Sequence, residues 1–507
     1  MEQVPEISKL MWNFSENHYV KDTGVNNEVL LPATPLESLG NRDFCRDLGL
    51  RLPLIAGAMA NGIASEDLVE SLAAENLLGV FGAAGLSINR IREAVQRLKA
   101  NLASKPFGVN LIHNPSEPHW EWDLVKLLVE EDIQIVEASA FMKLTLPLVY
   151  YRVKGIHRDD NGQIVAPNKI IAKASRVEIA EKFFSPPPEA MLRSLYEDGY
   201  ISAAEANLAQ EIPVAQYLTA EADSGGHTDN RPALTMFPIM KALKDRLQNL
   251  YDYEAKLCLG MAGGISTPSS AASAFSMGAA YIMLGSVMQS CVESGTSKKV
   301  KQTLSQVSQA DVLMAPAADM FEMGVQVQVL KKGTMFPMRA KKLFEIYKTY
   351  ASIEDIPAAD RATLEGQIFR KSLDDVWKET KEFFQERDPD KLEYCEDNPK
   401  LKMALVFRWY LGLASKWANE GMDGREMDYQ VWCGSAMGAF NEWAKGSFLE
   451  KPEERRAPLV AMNLFLGAFA LQRIGILKAQ GLSTQQWEYL AEQPMTRDEI
   501  SKILREG

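Results

Sequence analysis

The sequence has few cysteines and no excess of positive charge. Its five cysteines are scattered without the spacing of a metal site, at Cys45, Cys258, Cys291, Cys395 and Cys433. This pattern favours reduced core thiols over disulfides or a zinc site. The formal net charge of −12 argues against a general nucleic-acid surface, because neutralising phosphates requires clustered lysine and arginine. An anionic partner must therefore bind a local basic patch.

The chain also has little that indicates secretion or membrane insertion. Its first residues, MEQVPEISKLMWNF, do not combine a basic segment with an apolar one, so the sequence predicts a cytoplasmic protein without a secretion signal. The longest apolar stretch, 457–471, is shorter than the roughly 20 residues that a membrane span requires, and Asn463 interrupts it. We therefore expect a buried helix there and no membrane association.

Apolar, β-branched runs alternate with helical patterns in the first 310 residues. At 507 residues the chain is long enough for an α/β barrel of about 250 residues and a second unit. Alternation of this kind predicts a parallel sheet, and eight runs are the number of a closed (β/α)8 TIM barrel. The predicted strands lie at 53–59, 79–84, 107–112, 133–138, 169–174, 214–220, 257–261 and 281–284.

The domain prediction follows from where this alternation starts, pauses and stops. Residues 1–50 form a lead-in, 51–310 the barrel, and 311–507 a helical, aromatic-rich subdomain that caps the substrate. A segment near 176–211 carries a capping-box signal and predicts a helical insertion that could serve as a lid. The segment 314–324, MAPAADMFEMG, is either backbone near the mouth of the site or a plain connector.

Two glycine turns end the last two predicted strands. In GMAGGIST, Gly263 and Gly264 precede Thr267 as a helix N-cap and Pro268 at the first helical position. Gly285 and Ser286 end the next strand. Exposed amides at this place predict a phosphate site, although tight helix–sheet packing would also use such glycines. No G-x-G-x-x-G spacing is present, so a mononucleotide cofactor fits better than a dinucleotide.

A histidine motif follows the sixth predicted strand. In EADSGGHTDNRP, His227 should lie on a loop just past the strand end, where parallel α/β folds place their chemistry. Gly225 and Gly226 remove side chains beside the imidazole, so either a flat ligand or a backbone turn could approach. A structural histidine in a turn is the alternative.

These motifs resemble the flavin-dependent trans-acting enoyl reductases of bacterial polyketide and polyunsaturated fatty acid synthases, which are relatives of the nitronate monooxygenases. The likeness extends over nearly the whole chain, through AGAMANGIASE, GVNLIH, VEASA, EADSGGHTDNRP, MAPAADMFE, KKGTMFP, NPKLKMALVFRWYLG and DYQVWCGSAMGAFN. The GGH core alone would also admit the nitronate enzymes. SGGHTDNRP, MAPAADMF and the helical C-terminal region favour the enoyl reductases.

The resemblance implies an enzyme in which NADPH reduces FMN and the flavin passes hydride to the β-carbon of a 2-enoyl thioester on an acyl carrier protein. His227 would protonate the α-carbon or polarise the thioester carbonyl. Lys173 would stabilise the anionic reduced flavin, unless it pairs structurally with Glu137 or Glu221. The residues implied to bind the cofactor are Ala58, Met59, Asn110, Glu137, Lys173, Glu221, Gly225, Gly226, Gly263, Gly264, Gly285 and Ser286.

Two other functions remain open at this stage: oxidation of alkyl nitronates by oxygen, and a non-catalytic flavin-bearing module of a synthase complex. An acidic carrier protein would need a basic surface, for which the stretch LKKGTMFPMRAKKLF, with Lys331, Lys332, Arg339, Lys341 and Lys342, is the densest candidate. It could equally be a solvated connector. The resemblance also allows a homodimer, and it leaves acyl chain length and product stereochemistry undetermined.

Overall fold

The structure, a computed structural model, describes residues 11–12, 14–22, 27–115, 117–387 and 389–506. It divides the chain into two compact units. The first combines Met1–Asp223, Asp229–Gly295 and Ala436–Gly507, and the second combines Ser224–Thr228 with Thr296–Ser435. This division differs from the predicted one, because the second unit begins before 311 and the last 72 residues return to the first unit.

The first unit is built on a closed barrel of eight parallel strands, in agreement with the predicted fold class. Each strand lies within or next to one predicted apolar run, and each pairs in parallel with its neighbours. The order around the barrel is β3 (Leu54–Ala56), β4 (Leu78–Phe81), β5 (Gly108–Ile112), β6 (Ile135–Ser139), β9 (Lys169–Ala174), β10 (Tyr217–Glu221), β12 (Cys258–Ala262) and β13 (Ile282–Leu284).

In the first unit, two antiparallel strand pairs among the described residues lie outside the barrel. β1 (His18–Asp22) and β2 (Asn27–Leu31) pair antiparallel in the lead-in, and β7 (His157–Arg158) and β8 (Ile164–Val165) flank the Asn161-Gly162 turn. The helices of this unit are Arg42–Leu48, Glu66–Ala74, Ile88–Leu102, Pro118–Glu130, Leu146–Val153, Val177–Phe184, Glu189–Glu197, Ala203–Leu208, Ala233–Tyr251, Pro268–Ser276, Ser286–Gln289, Ala436–Ala444, Ala457–Ala479, Gln485–Ala491 and Arg497–Glu506.

The amino end of the barrel is filled by the lead-in helix Arg42–Leu48. Phe44 is fully buried, stacks on Tyr281 with ring centroids 4.3 Å apart and meets Tyr217 edge-on at 5.2 Å. Gly260 makes room for this packing, because a Cβ there would lie 2.2 Å from the Tyr281 ring. Aromatic packing of this kind closes the bottom of the barrel. The carboxyl ends of the strands are therefore left for chemistry.

The predicted buried helix is observed as Ala457–Ala479. It is long and apolar enough to cross a membrane, yet 72% of its most apolar window is buried within the protein. It packs closely on the helix Pro268–Ser276, since a Cβ on Gly467 would lie 2.7 Å from the Pro268 ring. This contact explains why the C-terminal segment belongs to the barrel unit.

The second unit contains a three-stranded antiparallel sheet that the sequence pattern did not indicate. We expected the strands to stop near 311, but β14 (Val312–Pro316) and β15 (Gln326–Leu330) follow, and β15 also pairs with β11 (Gly226–His227). The other regular elements described in this unit are mostly helices, and Trp432 forms an isolated bridge to Val329 of β15. The helices of this unit are Lys298–Leu304, Phe336–Thr349, Ala358–Thr363, the π-helix Leu364–Phe369, Leu373–Arg387, Asp390–Glu396 and Pro399–Glu420.

Candidate active site

A lysine between two carboxylates lies at the carboxyl ends of three barrel strands. Lys173 Nζ is 2.9 Å from Glu221 Oε1 and 3.7 Å from Glu137 Oε1. Strand register produces this meeting, because Lys173 of β9 lies opposite Thr219 of β10, two residues before Glu221. The structural pairing that we considered as an alternative for Lys173 is therefore present, and it involves both carboxylates.

Hydrogen bonds hold the buried carboxylate in place. Glu137 is completely buried, and its Oε2 accepts from the Ala58 amide at 3.1 Å. Asn110 Nδ2 donates to the Glu137 carbonyl and to Ser139 Oγ, both at 3.1 Å, and Ser139 Oγ donates to Glu137 Oε1 at 3.4 Å. Five of the predicted cofactor residues, Ala58, Asn110, Glu137, Lys173 and Glu221, thus form one network.

The surroundings of this cluster shift the pKa values of Glu137 and Lys173. Burial raises the pKa of Glu137 above its ordinary value, although Lys173 and the Ala58 amide act in the opposite direction. For Lys173, burial would lower the pKa, but the carboxylates of Glu221 and Glu137 outweigh it and the net direction is upward. Lys173 thus stays protonated at neutral pH. Its ammonium group is paired with Glu221 and Glu137 within the cluster.

Met59 is positioned by a close backbone approach. It is partly exposed after β3, and a Cβ on Gly82 would lie 1.8 Å from the Met59 carbonyl oxygen. Only glycine at that position allows the loop after β3 to lie against the loop after β4. Ala58 and Met59 are thereby held at the same end of the barrel as Glu137.

The predicted phosphate turn has the backbone geometry of an anion cradle. Gly263 and Gly264 follow β12 with φ values of +87° and +76°, in the left-handed region that favours glycine. A Cβ on Gly263 would lie 2.7 Å from the backbone of Ala222 and Asp223, whereas a Cβ on Gly264 would meet nothing within 4 Å. Open space above Gly264 is what a bound phosphate group would need.

The residues after these glycines also fit a phosphate. Thr267 caps the helix Pro268–Ser276 as predicted, and Ser270 Oγ accepts from the amides of Ser266 and Thr267, each at 2.9 Å. Ser266 is fully buried, and its Oγ has no hydrogen-bond partner among the described residues. A buried hydroxyl without a partner is costly, so a ligand oxygen there would satisfy it. Gly285, which precedes Ser286, likewise has open space at its Cβ position.

His227 lies in the second unit and pairs with an acid far away in sequence. Its Nε2 is 3.2 Å from Asp319 Oδ1, and each of these side chains is one-third exposed. Partial burial would raise the pKa of Asp319, but the hydrogen bond and charge of His227 hold it below its ordinary value. Asp319 is therefore ionised at neutral pH and orients the imidazole. We expected His227 on a loop, but it is the second residue of the short strand β11.

The two glycines before His227 have different roles. A Cβ on Gly225 would lie 2.9 Å from the backbone of Cys433 and Gly434. Glycine at this position therefore permits a close contact between the two backbone segments. Gly226 has a φ of +79° and pairs with Gln328 of β15. At Gly225 the structure thus shows a close approach of backbone, which is one of the two roles that the sequence suggested for these glycines.

Two functional candidates were missed by the sequence analysis. Asp319 lies in the MAPAADMFE segment, whose acid was visible but whose pairing with His227 was not. His113 follows β5, and its Nδ1 is 3.1 Å from Glu121 Oε2; both side chains are buried, and Thr145 donates to the same carboxylate. A histidine three residues after Asn110 in GVNLIH was the available signal.

The structure therefore brings together the predicted residues of the barrel and places the predicted histidine in a separate dyad. Ala58, Met59, Asn110, Glu137, Lys173, Glu221, Gly263, Gly264, Gly285 and Ser286 belong to the first unit, whereas Gly225, Gly226 and His227 belong to the second. The closed parallel barrel, with glycine turns and a buried charged network at its carboxyl end, defines the class: a (β/α)8-barrel protein.

Comparison with known proteins narrows this class. Residues 44–361 match the family described as nitronate monooxygenase, and residues 350–429 match the inserted helical domain of [acyl-carrier-protein] S-malonyltransferase. The chain belongs to the nitronate monooxygenase family. It is also similar to an enoyl reductase domain from a macrolactin cluster and to proteins named for polyketide and polyunsaturated fatty acid synthesis.

Three relatives illustrate this similarity. A polyunsaturated fatty acid synthase polypeptide of Thraustochytrium sp. is 47% identical over 89% of this chain and 30% of its own length. Polyketide biosynthesis protein PksE of Bacillus subtilis is 43% identical over 84% of this chain and 56% of its own. The crystal structure of the enoyl reductase domain of MlnA, from the macrolactin cluster of Bacillus amyloliquefaciens, has a TM-score of 0.83 and 37% identity, covering 88% of this chain and 100% of that chain. The chain thus spans about a third to just over half of the two curated relatives.

Proposed function

We propose that this chain is a trans-acting enoyl reductase that uses NADPH and FMN to reduce the 2,3 double bond of an enoyl thioester on an acyl carrier protein. The observation that carries the proposal is the similarity to the MlnA enoyl reductase domain, which extends over the whole of that domain at 37% identity. The glycine cradle and the buried Ser266 hydroxyl, which has no hydrogen-bond partner in the part of the chain that the structure describes, support a phosphorylated cofactor.

The barrel residues would bind FMN by its phosphate and its ring. The amides around Gly263 and Gly264, together with Gly285, Ser286 and the Ser266 hydroxyl, would hold the phosphate. Lys173 would donate a hydrogen bond to a ring oxygen or nitrogen, while Glu137 and Glu221 keep its ammonium group fixed. When bound, the flavin supplies hydride transfer from NADPH to the β-carbon.

The dyad of the second unit would supply the proton. An imidazole is suited to proton transfer near neutral pH, and Asp319 fixes which nitrogen of His227 is engaged. We assign to His227 the protonation of the α-carbon, or the polarisation of the thioester carbonyl, as hydride arrives. Asp319 acts through His227 as a positioning residue.

The proposed partner is an acyl carrier protein of a polyketide or polyunsaturated fatty acid synthase. The curated relatives belong by name to such systems, and residues 350–429 match a helical domain of an enzyme named for its acyl-carrier-protein substrate. A cytoplasmic location and a homodimer belong to the same proposal. The helical region after 311 is proposed to contribute to substrate capping.

An anaerobic titration tests the function. Purified holoprotein should lose its flavin absorbance on addition of NADPH and regain it on addition of a carrier-bound enoyl thioester, with formation of the saturated product. Failure of either half-reaction would contradict the proposal. The family match to nitronate monooxygenases favours one competing activity, which would appear as nitrite release from an alkyl nitronate and oxygen without nicotinamide. Carrier binding with no turnover would instead indicate a non-catalytic flavin module.

A further inference from the structure

Three methionines are exposed beside one another on the second unit. Met335, Met338 and Met427 expose 43%, 56% and 45% of their surface. The Met335 amide donates to the Met427 carbonyl at 2.9 Å, which places the start of the helix Phe336–Thr349 against the short turn at 426–428. Met335 is the N-cap of that helix and Met338 lies three residues on. We call these three residues the methionine patch.

Hydrogen bonds and an ion pair fix the backbone that carries the methionine patch. Thr334 Oγ1 donates to the carbonyls of Met427 and Tyr429, and Arg339 pairs with the fully buried Asp428. Two segments that are 92 residues apart are thus fixed side by side. Flexible, polarisable methionine side chains on a fixed backbone adapt to apolar groups of a partner.

Two exposed lysines border the methionine patch along the chain, and we call them its basic rim. Lys341 is exposed and lies three residues after Met338, on the same face of the helix. Lys331 is also exposed and precedes Met335 in the chain. Lys331 and Lys341 make no ion pair among the described residues, whereas Lys332, Arg339 and Lys342 are paired with Asp311, Asp428 and Asp360. The predicted basic cluster therefore reduces to two lysines that can meet a partner's charges.

Acidic residues lie near this rim. Asp311 pairs with Lys332 at 3.8 Å, and hydrogen bonds from Ser308, with a smaller contribution from the charge of Lys331, hold the pKa of Asp311 below its ordinary value. Glu426, next to Met427, is held with Asp423 by Lys299, at 2.6 Å and 2.5 Å. Glu345 is exposed one turn beyond Lys341 on the same helix and marks the limit of the basic surface. The methionine patch and its two lysines are complementary to a partner surface that carries an apolar side chain with carboxylates next to it.

We propose that the methionine patch with Lys331 and Lys341 is the docking surface for the acidic acyl carrier protein. This inference rests on the proposed function for the identity of its occupant. The methionines cover an apolar side chain of the carrier, and the lysines steer its carboxylates and set the register of docking. The surface recognises the carrier's protein and not its acyl group.

Binding should be measured separately from turnover. A fluorescently labelled crotonyl acyl carrier protein is titrated with wild type, with Met335→Glu/Met338→Glu and with Lys331→Glu/Lys341→Glu, and bound carrier is followed by anisotropy. We expect the dissociation constant to rise at least about tenfold for each variant, and the lysine variant to lose salt dependence. Controls are Leu250→Glu and Lys445→Glu, which are exposed positions in the first unit. Circular dichroism and flavin content should match wild type throughout.

The same proteins are assayed with free crotonyl-N-acetylcysteamine. Unchanged turnover of this thioester, with weakened carrier binding, supports the inference. Unchanged carrier affinity in both variants, or a wild type that does not bind the carrier, overturns it. A wild type that binds the carrier but reduces neither substrate refutes the proposed function and leaves the docking result standing. Variants that only dissolve a wild-type dimer would assign the patch to a second copy and also overturn the inference.

Discussion

At the scale of single residues, the most informative pair is His227 and Asp319. An imidazole and a carboxylate 3.2 Å apart can transfer a proton and keep the donor oriented. His227→Ala should keep FMN and its reduction by NADPH while lowering enoyl turnover about a hundredfold or more. Stopped-flow measurement of the two half-reactions separates these steps. Undiminished reoxidation by the enoyl substrate would remove His227 from the mechanism.

Asp319→Asn probes orientation alone. The amide keeps the size of the carboxylate but carries no charge, so it can engage the ring in the wrong tautomer. We expect roughly a tenfold or greater loss of enoyl turnover and a changed pH profile for that half-reaction, with NADPH reduction unaffected. Glu322, which pairs with Arg408 at 3.1 Å, offers a matched control through Glu322→Gln. Equal effects of the two changes would show that Asp319 acts only through general electrostatics.

Substitution of Gly263 and of Gly264 should have different effects, because only Gly263 lacks space for a side chain. Gly263→Ala would force a Cβ against the backbone of Ala222 and Asp223, so this change should damage folding. Gly264→Ala has room and carries only the strain of a positive φ, about 1 kcal/mol. It should therefore fold but bind FMN weakly, which absorbance after desalting and a thermal melt would show. A stoichiometrically yellow Gly264→Ala protein would place the phosphate elsewhere.

At the scale of elements, an ion pair fixes the second half of the histidine motif, just after His227. Asp229 accepts from Arg176 twice at 2.9 Å and from Ser175 at 2.5 Å, and the hydrogen bond from Arg176 is the main reason that its pKa falls to about 2. Because the pKa is depressed on folding, the pair stabilises above about pH 4 and loses its contribution as the pH falls towards 2.

The Asp229→Asn variant tests this dependence. At pH 7 it should be less stable by about 1 kcal/mol, since Arg176 is nearly half exposed and water screens the pair. The difference in melting temperature from wild type should shrink as the pH is lowered below about 4. A difference that stays constant down to the acid limit would mean that the ion pair is not its source. Arg158→Gln, at another surface pair, provides the comparison.

At the scale of the whole chain, the C-terminal segment belongs with the barrel. Ala457–Ala479 buries most of its length and lies against the helix that follows the phosphate turn. Deleting 436–507 should therefore leave a protein that aggregates or melts well below the full chain and retains no flavin. Melting and flavin content of the purified truncation would test this. A stable, yellow 1–435 protein would show that the barrel folds without the segment.

Much of the first unit was predictable because its signals are local. Buried strands such as β9 (Lys169–Ala174) are short apolar runs, and caps such as Thr267 with Pro268 are recognisable within one turn. β14 and β15 escaped notice because their third strand is the two-residue β11, about 90 residues earlier, and no pattern in sequence links them. The same distance hid the Asp319 partner of His227.

What the sequence by itself determined is the set of elements and the chemistry of its turns: eight barrel strands, the capped helices, and glycines where a positive φ is required. These depend on side-chain period and on backbone sterics within a few residues. Only the tertiary structure decided that Lys173 meets both Glu137 and Glu221, that Asp319 holds His227, and that residues 436–507 return to the barrel. Such partners are chosen by strand register and by the packing of surfaces distant in sequence, and no local pattern encodes them.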